Sequence, residues 1–297
     1  MITEKLTIEK LDAFKQFCNK HKVEIDDSFL YPEDLESFCP SDENPTYIMI
    51  ENGDIVATAS LILDDYNKRG KKSRFRIFYS ELNDRKIYAT LLSCVLKHTN
   101  GLDSIFLFIP LTNPILSSLI ADIGFYIERY SFQLVKDITG PKEYNVPDGY
   151  EIRPFRLEED AEVWCQIRNT GFANLKGSET PITVEMVKNM LTSPDYIENG
   201  LMILYHKEKP VGIVRGSDDE YKNSSIFNIG PLVIIPEYQG KGLGRMLLQA
   251  ALSFAGSLHY KQAILCVNGE NENAKSLYLS EGFQQVESVV CYKYDIK

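Results

Sequence analysis

The sequence predicts an α/β chain with a mixed sheet (an α+β mixture of parallel and antiparallel strands), built as two tandem copies of one unit. Three observations predict it. NPILSSLIADIGF, from Asn113, matches NENAKSLYLSEGF, from Asn271, without a gap and 158 positions on, and each is followed by an apolar strand pattern. Upstream, RFRIFYSELNDRKIYATLLSCVL falls opposite NIGPLVIIPEYQGKGLGRMLLQAAL, and YIMIENGDIVATASL opposite MILYHKEKPVGIVRG. In each copy a hairpin precedes alternating helices and strands, which implies a mixed sheet with a parallel pair in its middle.

Each element has a local reason. The hairpins are expected to turn at Asn52-Gly53 and at Lys209-Pro210. In the second copy YEIRPF reads as a strand. LEEDAEVWCQIRNTGF reads as a helix with acidic residues in its first turn, and TVEMVKNMLTS as a helix with Thr183 as N-cap. The apolar strand FNIGPLVII follows the hairpin. A glycine turn comes next, then the helix GRMLLQAALSFAGSL, the strand QAILCVN, the helix NAKSLYLSEG and a last strand. DITGPKEYNVPDGY, residues 137 to 150, is the expected linker, which places the copies at 1–138 and 149–297.

Composition bounds the function. The 297 residues suit two ordinary domains, and 44% hydrophobic residues suffice for full cores. A formal net charge of -10 repels phosphate backbones, so no nucleic-acid partner is expected. The start, MITEKLTIEKLDAF, is not an apolar leader, and no run of about 18 apolar residues follows. A cytoplasmic chain without a membrane partner is the expectation. Six cysteines without a CxxC pair, and four scattered histidines, give no zinc spacing, so no metal is expected. The cysteines read as reduced and mostly buried, the histidines as solvated or locally bonded.

The chemistry concentrates in QGKGLG, residues 239–244. Glycines there allow positive φ and close approach of a ligand, and the turn opens a helix whose first N–H groups have no intrahelical partner. Several donors then converge beside the positive end of a helix dipole, which makes an anion site suited to phosphate or diphosphate. Lys241 and Arg245 add positive charge. The turn lacks the GK[ST] ending of a P-loop, and Arg245 stands where a dinucleotide fingerprint has its third glycine. The first copy has ELNDRK opposite this turn and Ile120 opposite Tyr278, so only the second copy is expected to take a phosphate-bearing ligand.

The remaining match is Q/R-x-x-G-x-G/A, here Gln239, Gly242 and Gly244. With it, the second copy resembles the GNAT superfamily, the GCN5-related N-acyltransferases that use acyl-coenzyme A. NENAKSLYLSEGF is similar to the motif that follows in that family, through Asn271, Ala274, Leu277, Tyr278, Gly282 and Phe283. The first copy resembles a degenerate form of the same unit, so the whole resembles a tandem GNAT protein.

That resemblance implies a bulge at Gly230-Pro231, where proline offers no N–H, and two parallel strands splaying apart beyond it. It implies that Leu232, Val233 and Ile234 line the gap and pair with pantetheine. The diphosphate would sit on Gln239, Gly240, Lys241, Gly242, Leu243, Gly244 and Arg245. An N–H of Leu232 or Val233 would hold the oxyanion. Tyr278 would protonate the departing thiolate, although the same position suits a core tyrosine. Asn271 would contact coenzyme A, cap its helix, or both. The implied activity is transfer of an acetyl group from acetyl-CoA to a small-molecule primary amine. A catalytically inactive acyl-CoA sensor is the alternative. Asp218, Asp219 and Glu220 read as a solvated hairpin connection rather than a general base. Trp164, Phe172 and Tyr196 suit either an acceptor pocket or the core. Monomer and homodimer both remain open.

Overall fold

The structure is a computed structural model and describes residues 1–297. The chain divides into two compact units, Met1–Ser131 with Glu287–Lys297, and Phe132–Val286.

The first unit runs β1 (Ile2–Lys5), α1 (Leu11–His21), α2 (Pro32–Ser37), β2 (Thr46–Glu51), β3 (Asp54–Ile62), α3 (Asp65–Arg69), β4 (Lys72–Ser80), α4 (Arg85–Val95), β5 (Ser104–Pro110) and α5 (Pro114–Asp122), then enters β6 (Tyr126–Asp137). Strands β1 to β4 pair antiparallel in sequence order, and β5 lies parallel to β4. Asn52 and Gly53 both take positive φ, 54° and 96°, as the expected two-residue hairpin requires. α4 buries Ile87, Tyr88, Leu91, Leu92 and Val95 against the sheet, a helical stripe that meets Phe78 and Ile105 in the core.

The second unit runs β7 (Tyr150–Pro154), α6 (Leu157–Phe172), α7 (Val184–Met190), β8 (Tyr196–His206), β9 (Lys209–Tyr221), β10 (Ser224–Ile234), α8 (Leu243–Ser257), β11 (Gln262–Asn268) and α9 (Glu272–Ser280), then enters β12 (Gln284–Asp295). Its sheet order is β6-β11-β10-β9-β8-β7, with β10 and β11 parallel and β7 to β10 antiparallel. α6 and α8 supply Trp164, Ile167, Met246 and Leu247 to one core with β8, β9 and β10. Thr183 caps α7 as expected, its hydroxyl accepting from the Met186 N–H at 3.3 Å.

Three local expectations are corrected. The β8–β9 turn is Lys207-Glu208, with Lys207 at φ 56°, so Lys209 and Pro210 already lie in the strand. Asp218, Asp219 and Glu220 are not a hairpin connection. They extend β9, paired with Phe227, Ile226 and Ser225, and the turn is Lys222-Asn223, both at positive φ. The six cysteines form no disulfide, but only Cys18, Cys165 and Cys291 are buried, while Cys39 and Cys266 are exposed.

The units also differ from the expected copies 1–138 and 149–297 by one strand each. β12 pairs with β5 and completes the sheet of the first unit, whereas the second half of β6 lies beside β11 in the second. Each sequence repeat therefore hands its last strand to the other unit's sheet. A strand completes whichever sheet edge it bonds to, and a repeat alignment does not reveal which edge that is.

Candidate active site

The site is built on β10. Its parallel pairing with β11 covers Phe227↔Ala263 and Asn228↔Ile264, yet β10 runs on to Ile234 and β11 to Asn268. Beyond Asn228 the two strands therefore part. The cause lies in Pro231, which has no N–H to give a sheet ladder. The β9–β10 register shifts between Ile229 and Leu232, then resumes at Leu232↔Val214, Val233↔Ile213 and Ile234↔Gly212.

Backbone alternation decides which groups face the gap. The Ile235 N–H donates to the Val211 carbonyl at 3.0 Å, toward β9. N–H directions alternate along a strand, so Val233 also points toward β9, whereas Leu232 and Ile234 point away from it, into the gap. Of the two expected oxyanion donors, Leu232 has the orientation and Val233 does not.

The glycine turn follows at once. Gly240 and Gly242 take φ of 73° and 78°, and nothing lies within 4 Å of a Cβ placed on either. Gly242 is the N-cap of α8 and supplies no side-chain cap. The first bond into the helix runs from the Met246 N–H to the Gly242 carbonyl, at 3.2 Å, so the N–H groups of Leu243, Gly244 and Arg245 precede the helical ladder. Gly244 lies close to both neighbours: its Cβ position is 3.6 Å from Leu277 Cδ2 and 3.9 Å from Leu232 Cδ2. Turn, parted strand and α9 thus meet at one place.

The charged and polar residues of the turn divide their duties. Gln239 donates from Nε2 to the Ile234 carbonyl at 2.9 Å and ties the turn to the end of β10. Lys241 holds its ammonium 4.6 Å from the Tyr238 ring centroid. Arg245 is paired with Glu281 and donates to Ser280 Oγ at 3.0 Å, so its charge is already balanced.

On α9, Asn271 is the N-cap, its Oδ1 accepting from the Ala274 N–H at 3.2 Å, which leaves its amide N–H groups for a ligand. Two turns on, along the same helical face, stands Tyr278. Its ring packs edge-on to Phe283, 6.0 Å between centroids, and burial alone pushes its phenol up to about 12. Tyr278 is therefore a core residue whose phenol stays protonated throughout the physiological range. Trp164 is fully buried beside Phe155, which removes it as a pocket wall, while Phe172 and Tyr196 are half-buried.

Sequence reasoning missed one pair. Asn228, the last β10 residue paired with β11, donates from Nδ2 to Asp219 Oδ2 at 2.7 Å, and both are half-buried. This puts a carboxylate at the apex of the parted strands. Strand alternation through SDDEYKNSSIFN was the signal that could have found it.

The first unit carries the same frame with different chemistry. β4 and β5 pair only at Lys72↔Ser104, Ser73↔Ile105 and Arg74↔Phe106 before parting. Arg74, the counterpart of Asn228, is ion-paired with Asp26 and stacked between Phe29 and Phe108. At the N-cap of α4, opposite Gly242, stands Asp84, whose carboxylate accepts from the Lys86 N–H at 2.8 Å.

Residues 164–283, from the middle of α6 to just beyond α9, match the Acetyltransferase (GNAT) family. Over that segment the chain is similar to the GNAT family. The fold is matched over the whole length by a GCN5-related N-acetyltransferase from Sphaerobacter thermophilus. That likeness has a TM-score of 0.75 and 15% identity, covering 100% of this chain and 96% of that one. A tandem GNAT protein from the clavulanic acid biosynthesis pathway superposes with a TM-score of 0.69 and 13% identity, covering 100% and 98%. These two are likenesses of fold. In sequence, the chain is 25% identical over 182 residues to a mycothiol acetyltransferase of Kocuria rhizophila, and 26% identical over 184 residues to one of Thermobispora bispora. The matched segments cover 57% and 61% of this chain and 59% and 62% of those relatives, little more than half of their length.

Proposed function

We propose that the second unit transfers an acetyl group from acetyl-CoA to a small-molecule primary amine. The observation that carries this reading is the uncapped glycine turn at the start of α8, set directly beyond the place where β10 leaves β11. Its free N–H groups and helix dipole suit a diphosphate, and the gap between strands suits pantetheine. Relatives named mycothiol acetyltransferases support the transferase class.

In this reading the Leu232 N–H polarises the thioester carbonyl and then holds the oxyanion. The amine nitrogen attacks the carbonyl carbon, the C–S bond breaks, and the thiolate takes its proton from Tyr278, which solvent restores. Asp219, held by Asn228, receives the proton that the attacking amine loses. Gln239 shapes the turn through its side chain, and Asn271 offers its amide to pantetheine. Leu232, Ile234, Gly240, Lys241, Gly242, Leu243, Gly244 and Arg245 form the cofactor path; Val233 contributes packing rather than a donor.

The first unit is proposed not to take acyl-CoA. Asp84 puts a carboxylate at the helix start where a diphosphate would lie, and Arg74 fills the apex of the gap.

Free-thiol release from acetyl-CoA, measured over a panel of primary amines, tests the activity. Amine-dependent release supports it. Tight acetyl-CoA binding without release on any amine would instead favour an acyl-CoA sensor.

A further inference from the structure

Beside the parted strands of the first unit lies an open cleft of about 330 Å³, within the range of small-molecule sites. Glu24, Tyr79, Asn83, Tyr88, Thr112 and Asn113 line it, so it lies between the carboxyl ends of β4 and β5. Its surroundings do not suit an anion. Asp84 already occupies the start of α4, and the nearby Lys20 ammonium and His21 Nε2 are spent on Glu81, at 2.6 and 2.8 Å. The Asn113 amide is likewise committed, donating to the Glu24 carbonyl at 3.1 Å.

What remains is an unmet acceptor. One carboxylate oxygen of Glu24 is buried with no donor, while the side chain as a whole is 36% exposed; its other oxygen is 3.6 Å from His21 Nδ1, close enough to pair by charge when that imidazole is protonated but beyond hydrogen-bond reach. The Tyr79 phenol is pushed up by burial first and then by the carboxylates of Glu24 and Glu81, as a negative local potential requires. Two phenol rings, the Asn83 carboxamide and one carboxylate with a missing donor make a place for a compact organic cation.

We propose that this cleft binds a small primary amine, its ammonium on Glu24 and its body beside Tyr79 and Tyr88. The first unit would then be an amine site on a GNAT frame, with carboxylates where its twin has free amides. This inference does not rest on acetyl transfer by the second unit.

The test is calorimetric titration of the full chain with putrescine in the absence of any acyl-CoA. Wild-type protein is expected to bind, with affinity falling as salt is raised. Glu24→Gln should weaken binding by about tenfold or more, the value of one charge-assisted contact. Ile115→Lys, an exposed position on the cavity rim, should weaken it as well by placing a competing ammonium there. The Lys variant keeps the test valid should Glu24→Gln unfold, and circular dichroism checks both. Absence of binding to wild-type protein at about 10 mM putrescine, in the weakest affinity range, would overturn the proposal. So would equal affinity in a folded variant and the wild type.

Discussion

Gly242→Ala and Gly244→Ala are the same chemical change two residues apart, and the structure predicts opposite outcomes. Gly242 sits at φ 78° with open space around its Cβ position. A methyl group there meets no atom, so the folding penalty is conformational alone, about 1–2 kcal/mol for an L-residue in the left-handed region. At about 2–4 °C per kcal/mol for a unit of this size, the melting temperature should fall by a few degrees. The effect on acetyl-CoA should be larger. Relaxing the turn misdirects at least one N–H from the diphosphate, and a hydrogen bond to a charged group is worth about 1.5–3 kcal/mol, or roughly ten- to a hundredfold in affinity. Gly244 has an ordinary helical φ, and its Cβ position is 3.6 Å from Leu277 Cδ2, a normal contact. Alanine there should gain up to about 0.5–1 kcal/mol from reduced unfolded-state freedom and leave affinity within about threefold. Differential scanning fluorimetry and calorimetric titration with acetyl-CoA give both quantities. Unchanged acetyl-CoA affinity in Gly242→Ala, or equal losses in the two variants, would refute the assignment of the turn.

Tyr278→Phe should lower turnover at least about tenfold while acetyl-CoA affinity stays within about twofold, read by steady-state kinetics and titration together. Because burial pushes that phenol up to about 12, no loss of activity from its ionisation should appear below about pH 10 in a kcat–pH profile. Asp219→Asn should lower kcat about tenfold or more at neutral pH and shift the loss toward recovery at high pH, where the amine arrives deprotonated; a flat ratio to wild type across pH would remove Asp219 from proton transfer. In the first unit, burial pushes the Cys18 and Cys291 thiols from 9.0 up to about 12. Folded thiols therefore bind protons more tightly than unfolded ones, so their contribution is whole below pH 9 and declines as pH rises toward 12, which a melting series over that range should show as a falling midpoint.

Much of this was legible because the signals were local. Leu157–Phe172 and Gln262–Asn268 are read from the sequence to the residue, since hydrophobic period and flanking polar residues bound them. Asn113 and Asn271, aligned as repeats, cap α5 and α9 in the same way, each accepting an N–H three residues on. The alignment of Asp84 with Gly242 likewise became a contrast between a filled and an open helix start.

What stayed hidden depends on long-range pairing. Nothing in QQVESVVCYKYDI says that it will bond to Ser104–Pro110 rather than to its own repeat. The acidic run Asp218–Glu220 resembles a turn by composition, and only its partners Phe227, Ile226 and Ser225 make it strand. The Asp219–Asn228 bond is invisible until the register is known. Charge also misled at Arg245, because Glu281 lies 36 positions away and reaches it only through the fold.

The amides around Gly242 in the second unit, and not those at the start of α4, are expected to receive the diphosphate of coenzyme A. A crystal structure of the chain with acetyl-CoA tests it most directly. One cofactor per chain is expected, its diphosphate within hydrogen-bond distance of the Gly242, Gly244 or Arg245 N–H groups and its thioester beside Leu232. A diphosphate at Asp84, or acetyl-CoA lodged away from the gap between β10 and β11, would contradict it.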